Sequence, residues 1–98
     1  MTRLAAIDDI PDMRPLRVEH EGRGILLCRD EQGRVHAIDE LCPHKGLSMA
    51  WGAVLQGHLI CPWHQYAFNL ETGRCARRCA PAEVIEIDVR DGAVYLTA

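Results

Sequence analysis

Alternation of apolar and polar positions marks both ends of the chain as β structure. Leu16 and Val18 alternate with Arg17 and Glu19, and the turn Glu21-Gly-Arg-Gly24 leads into the apolar run Ile25-Leu-Leu-Cys28. Glu31-Gln-Gly-Arg34 then turns into Val35-His-Ala-Ile38, which completes the pattern of an antiparallel meander. Near the other end Ile85, Ile87 and Val89 alternate with Glu86, Asp88 and Arg90, and Asp91-Gly92 makes a tight turn into Val94-Tyr-Leu96. The stretch 41–81 breaks this rhythm. Glycines at 46, 52, 57 and 73 and prolines at 43, 62 and 81 cut it into loops around short strands near Ala53-Leu55 and Leu59-Ile60. No amphipathic helix of ordinary length is predicted. One helical turn is predicted at Ile7-Asp-Asp-Ile10, capped by Asp8 or Asp9 and ended by Pro11.

The chain has 98 residues, 48% of them apolar, which predicts one domain over 1–98 with a small core. Eleven Lys and Arg against 14 Asp and Glu give a net charge of -3, a balance that disfavours nucleic acid as a partner. No run of 18 apolar residues is present, and acids at 8 and 9 interrupt the N-terminal stretch where a signal peptide is apolar. A cytoplasmic protein without a membrane association is expected. The charge is unevenly spread. Residues 42–82 hold four bases and one acid, whereas the flanking segments, with six bases to nine acids and one base to four acids, are each acidic.

Five cysteines in a chain with no secretion signal point to metal binding rather than to a disulfide framework. Four candidate ligands lie in two similar half-sites, Cys42-Pro43-His44 and Cys61-Pro62-Trp63-His64, separated by the 16 residues 45 to 60. Each offers a soft anionic sulfur and a neutral nitrogen in a turn stiffened by proline. A Cys₂His₂ set suits a tetrahedral structural zinc, or a two-iron cluster in which two cysteines hold one iron and two histidines the other. The ligand set alone leaves both open.

The pattern Cys-x-His, a gap near 16, then Cys-x-x-His resembles that of the Rieske iron–sulfur proteins. Asp39-Glu-Leu-Cys-Pro-His-Lys-Gly46 is similar to their first cluster loop and Cys61-Pro-Trp-His-Gln-Tyr-Ala-Phe68 to their second. Glu71-Thr-Gly73 with Ala80-Pro81 resembles the turn and proline loop that cover the cluster, and the flanking strands match the base sheets of small Rieske ferredoxins. The resemblance implies an all-β Rieske fold, an antiparallel β-sandwich carrying a cluster-binding subdomain over about 41–81. It implies one [2Fe-2S] cluster, with Cys42 and Cys61 on the inner iron and His44 and His64 on the outer iron near the surface. It further implies a one-electron carrier rather than an enzyme, reduced by a flavin-dependent reductase and passing electrons to a terminal oxygenase. Two other readings stay open. One is the small subunit of an NAD(P)H nitrite reductase, bound to its large subunit, and the other is a zinc-stabilised interaction module with no redox role.

Two ferric ions, two sulfides and two thiolates sum to zero, so reduction adds one negative charge to a neutral unit. Rieske centres accordingly lie at roughly -150 to +300 mV, above all-cysteine clusters. High-potential members carry a disulfide between the loops where this chain has Leu47 and Trp63, and serine and tyrosine hydroxyls where it has Tyr66 and Phe68. Fewer hydrogen bonds to cluster sulfur destabilise the more negative reduced state, so a low potential is expected. Leu47 and Trp63 are expected to shield the cluster, and Met49 and Trp51 to pack. Cys28 reads as core, His20, His36 and His58 as ordinary strand residues, and Cys75 and Cys79 as non-ligands, either free thiols or a disulfide. Lys45, Arg74, Arg77 and Arg78 read either as a solvated face or as a docking patch for an acidic partner.

Overall fold

The computed structural model describes residues 2–43, 46–63, 65–77 and 79–97. Among these residues ten strands form three antiparallel sheets. Strands β1 (Thr2–Ala6), β9 (Ile87–Arg90) and β10 (Ala93–Leu96) make one sheet in the order β1-β10-β9. Strands β2 (Leu16–His20), β3 (Arg23–Arg29), β4 (Val35–Asp39) and β8 (Val84–Ile85) make the second in that order, and β5 (Ala53–Leu55), β6 (His58–Ile60) and β7 (Ala67–Asn69) the third. The predicted meander is therefore present as β2-β3-β4, with Leu26 opposite Arg17 on one side and Ile38 on the other.

The second sheet is the middle layer. Side chains alternate across a strand, and in β3 they divide between two cores: Ile25 and Leu27 join Ala5, Val94 and Leu96 of the first sheet, while Leu26 and Cys28 join Met49, Leu59 and Phe68 of the loop-bearing region. Ala37 and Ile38 of β4 divide in the same way. Burial on both faces explains why Ile25-Leu-Leu-Cys28 is an unbroken apolar run rather than an alternating one. Cys28 is fully buried, and burial pushes its thiol up to about 12, as expected of a packing residue.

Several local expectations change. The alternating stretch from Ile85 to Val89 is two strands: β8 pairs with β4 and β9 with β10, so the chain crosses from one sheet to the other at Glu86. Ile85 is buried but Val89 is exposed, because β9 lies at a sheet edge where only part of its apolar set is covered. The turn Ile7–Asp9 is a single 3-10 turn held by Ile10 N–H to the Ile7 carbonyl at 3.0 Å, and it has no side-chain cap; Asp8 and Asp9 lie within it. Strands β1 and β7 are additional to those predicted. The histidines at 20, 36 and 58 do lie in strands β2, β4 and β6. Among the described residues no helix is long and apolar enough to cross a membrane.

Candidate metal centre

Two loops rise from this frame and share one hydrogen-bond pattern. In the first, Cys42 N–H donates to the Leu47 carbonyl at 2.8 Å, and Gly46 N–H donates back to the Cys42 carbonyl at 2.6 Å. In the second, Cys61 N–H donates to the Tyr66 carbonyl at 2.7 Å and Gln65 N–H to the Cys61 carbonyl at 2.9 Å. Each cysteine thus bonds residues four and five positions further on. The fourth residue is left-handed in both loops, with φ 70° at Gly46 and 56° at Gln65. Glycine meets that requirement freely; glutamine meets it at a steric cost.

This frame turns the two cysteines inward. Cys42 and Cys61 are each 1% exposed and belong to the core with Leu26, Ile38, Met49 and Phe68. Both are free thiols. Burial pushes the Cys61 thiol up, Cys42 beside it adds to that rise, and the Trp63 backbone N–H hydrogen-bonded to Cys61 works against it. Two neighbouring sulfurs buried in an apolar floor fit a cationic metal centre, which supplies the charge their deprotonation lacks. His44 and His64, the other two predicted ligands, lie outside the described residues, as do Lys45 and Arg78. Among the described residues no three His, Cys, Asp or Glu side chains converge as metal ligands.

Each loop is braced from outside by different means. Glu40 sits below the first loop, where its carboxylate accepts the Ser48 hydroxyl at 2.7 Å and the Arg17 guanidinium at 2.9 Å, and its carbonyl accepts Met49 N–H at 2.8 Å. Arg17 first, then the Ser48 hydroxyl, hold the Glu40 carboxyl below the ordinary carboxylate range, against a smaller opposing effect of burial. Leu41 and Ser48 bridge across the loop's base. The second loop is braced by the segment that returns alongside β7: Cys75 bridges Phe68, Ala76 N–H donates to the Ala67 carbonyl at 2.9 Å, and the Arg77 guanidinium lies over the Tyr66 ring, 5.4 Å from its centre. Gly73 (φ 78°) is required where this segment turns, because a Cβ there would strike the Ala82 carbonyl.

One contact between the loops is not legible in the sequence. The Trp63 indole N–H donates to the Ser48 carbonyl at 3.1 Å, so the second loop is tied to the base of the first while Trp63 stays 46% exposed. The signal available in sequence was a tryptophan beside a ligand motif, which specifies no partner. Leu47 is also exposed, and Trp51 is 79% exposed, so its expected packing role is corrected; Met49 is fully buried as expected. Cys75 and Cys79 form a disulfide. Phe68 is fully buried in the core with the two free cysteines and brings no hydroxyl to them.

A family model described as the Rieske [2Fe-2S] domain matches residues 1–88. Over 59 residues, 60% of this chain, the sequence is 41% identical to 4beta-methylsterol monooxygenase of Methylococcus capsulatus (strain Bath) and covers 16% of that protein. The chain spans only 12 to 16% of the length of the curated relatives it matches first. Among solved structures the similarity covers nearly all of this chain; it covers nearly all of several small proteins and 32% of dicamba monooxygenase. A ferredoxin of Sphingomonas yanoikuyae B1 superposes with a TM-score of 0.85 at 26% identity, covering 96% of this chain and 94% of that one. A chain from a complex of oxygenase and ferredoxin in carbazole 1,9a-dioxygenase gives 0.84 at 29% identity, covering 95% and 97%. A Mycobacterium tuberculosis protein assigned as the small subunit of an NADH-dependent nitrite reductase gives 0.85 at 26% identity, covering 95% and 89%.

Proposed function

We propose, because the chain belongs to the Rieske [2Fe-2S] domain family, that it is a ferredoxin: a one-electron carrier between a flavin-dependent reductase and a terminal oxygenase. The observation that carries this reading is the pair of matched loops, each of which turns one free, buried cysteine into the same apolar floor. Similarity to ferredoxins over most of both chains supports the carrier reading. On this reading residues 1–98 are one domain, with the cluster-binding part over 41–81, and the carrier works in the cytoplasm without catalysing a reaction itself.

Cys42 and Cys61 would hold one iron, and His44 and His64 the other. A cluster so bound supplies a one-electron couple. The chain's own residues do the rest. The apolar floor of Leu26, Ile38, Met49 and Phe68 excludes water from the sulfurs, the Trp63 backbone N–H lends one hydrogen bond to the Cys61 sulfur, and the Trp63–Ser48 bond keeps the two loops in register. With phenylalanine at 68, that position donates no hydrogen bond to sulfur, so a low-end midpoint is expected; a value above about +200 mV defeats the ferredoxin reading in favour of a high-potential carrier.

The deciding experiment is electron paramagnetic resonance of the dithionite-reduced protein. A rhombic signal with average g below that of all-cysteine clusters supports mixed histidine and cysteine ligation. Silence, with zinc in place of iron, overturns it and leaves an interaction module. The similarity to a nitrite reductase small subunit favours a second reading, a fixed subunit, which co-purification with a large sirohaem and flavin protein would establish.

A further inference from the structure

The Cys75–Cys79 disulfide takes no part in the proposed iron site. It closes a ring of five residues, Cys75-Ala-Arg-Arg-Cys79, with Cα atoms 5.5 Å apart at the bridge. The ring is placed where its state matters. One end is held by the bridge to Phe68 and the Ala76–Ala67 hydrogen bond, the far side by Ala82 N–H to the Gly73 carbonyl at 2.8 Å, and the Arg77 side chain within it covers Tyr66. Tyr66 in turn supplies the carbonyl that fixes Cys61 N–H. One cation–ring contact and one backbone hydrogen bond thus connect the disulfide-closed ring to Cys61.

Its chemistry differs from that of the other cysteines. Cys28, Cys42 and Cys61 are buried free thiols, whereas Cys75 and Cys79 are bonded to each other and only partly buried at the edge of the core. Residues 72–82 contain three arginines and no acid. Cations beside a cysteine favour its thiolate, which makes it the better leaving group in thiol–disulfide exchange. In a reducing compartment a disulfide is characteristically one that cycles; the argument rests on the proposed cytoplasmic setting in that respect alone.

We propose that Cys75 and Cys79 are a second redox centre, a two-electron thiol–disulfide couple that exchanges with a protein dithiol of the thioredoxin class and whose reduction frees Arg77 from Tyr66. In the exchange one thiolate of the reductant attacks one sulfur of the pair and displaces the other; its second thiol then resolves the mixed disulfide. The Cys75–Cys79 bond breaks, the reductant's own disulfide forms, and two electrons and two protons end on Cys75 and Cys79. The couple differs from the iron site in electron count and in partner.

The test uses the full, cluster-loaded protein, incubated anaerobically with excess reduced thioredoxin and then alkylated with iodoacetamide. Mass analysis is expected to find both Cys75 and Cys79 alkylated within minutes and the visible spectrum retained. Trypsin cleavage after Arg77 or Arg78 is expected to rise about tenfold on reduction, since cleavage follows the population of the opened segment. The C75S/C79S variant is expected to cut at the fast rate with or without thioredoxin, and R77Q to keep a reducible bond in a ring already cleaved after Arg78 more quickly. Should C75S/C79S fail to fold, the wild-type comparison stands alone. A pair that stays unalkylated while the urea-unfolded chain is reduced overturns the proposal, as does a cleavage rate that reduction leaves unchanged. Failure here leaves the ferredoxin reading intact, because the assay counts thiols and cuts, not transferred electrons.

Discussion

The two cysteine loops share a backbone and differ in nearly everything outside it. Both bond the cysteine to the fourth and fifth residues beyond it, yet one has glycine and the other glutamine at the left-handed position. One is anchored by an ionic group, Glu40 with Arg17 and Ser48; the other by a stacked ring and the segment beside β7. Aiming a sulfur at the floor is thus a backbone property, which different surroundings can stabilise equally well. The histidines fall two residues after Cys42 and three after Cys61, so the proposed ligands take different places in the two loop sequences.

The comparison breaks most completely at the sulfurs. Cys42→Ser and Cys61→Ser are each expected to abolish iron binding, read as loss of visible absorbance and of bound iron, because neither loop can substitute for the other. Removing the ionic anchor affects only the first loop: Glu40→Ala strips Ser48 and Arg17 of a shared acceptor and is expected to cost about 2 kcal/mol in denaturant unfolding. The Glu40 carboxyl is depressed in the fold, so its contribution is complete above the unfolded value near 4.3 and is lost as pH falls through the lower folded value. Glu40→Gln should flatten that part of the acid limb, and an unchanged limb would show the anchor to be idle.

A pair of exchanges sharpens the contrast at the left-handed position. Gly46→Gln is expected to destabilise by about 1 kcal/mol, since a Cβ there meets no atom and only the backbone conformation opposes it. Gln65→Gly is expected to stabilise by about 0.5 kcal/mol, the left-handed penalty being partly offset by glycine's greater freedom when unfolded. Equal and opposite shifts would mean that the loops are interchangeable as backbones; a loss in Gln65→Gly would mean that the glutamine side chain has a contact worth more than its strain.

The elements legible in advance are those whose causes are local. Turns at Gly22, Gly33 and Gly92 and the alternation in β2 and from Ile85 to Arg90 identified most of the strands, since a glycine turn and a period of two need only neighbouring residues. β1 and β7 were not legible, because Thr2–Ala6 and Ala67–Asn69 have little alternation and are strands through the partners they meet, β10 and β6. Trp51 shows the converse: a large apolar side chain predicts burial, and only the path of the chain leaves it in solvent.

By itself the sequence determined the donor chemistry, because Cys42-Pro-His and Cys61-Pro-Trp-His place ligand types at fixed short spacings that no packing can alter. It determined the β class for the same reason. Tertiary structure alone decided that β3 is buried on both faces, that the chain changes sheets at Glu86, that Trp63 reaches Ser48, and that Cys75 pairs with Cys79. Each of these depends on where a second segment lies, and residue type states what a side chain can bond to, not which partner the fold brings within reach.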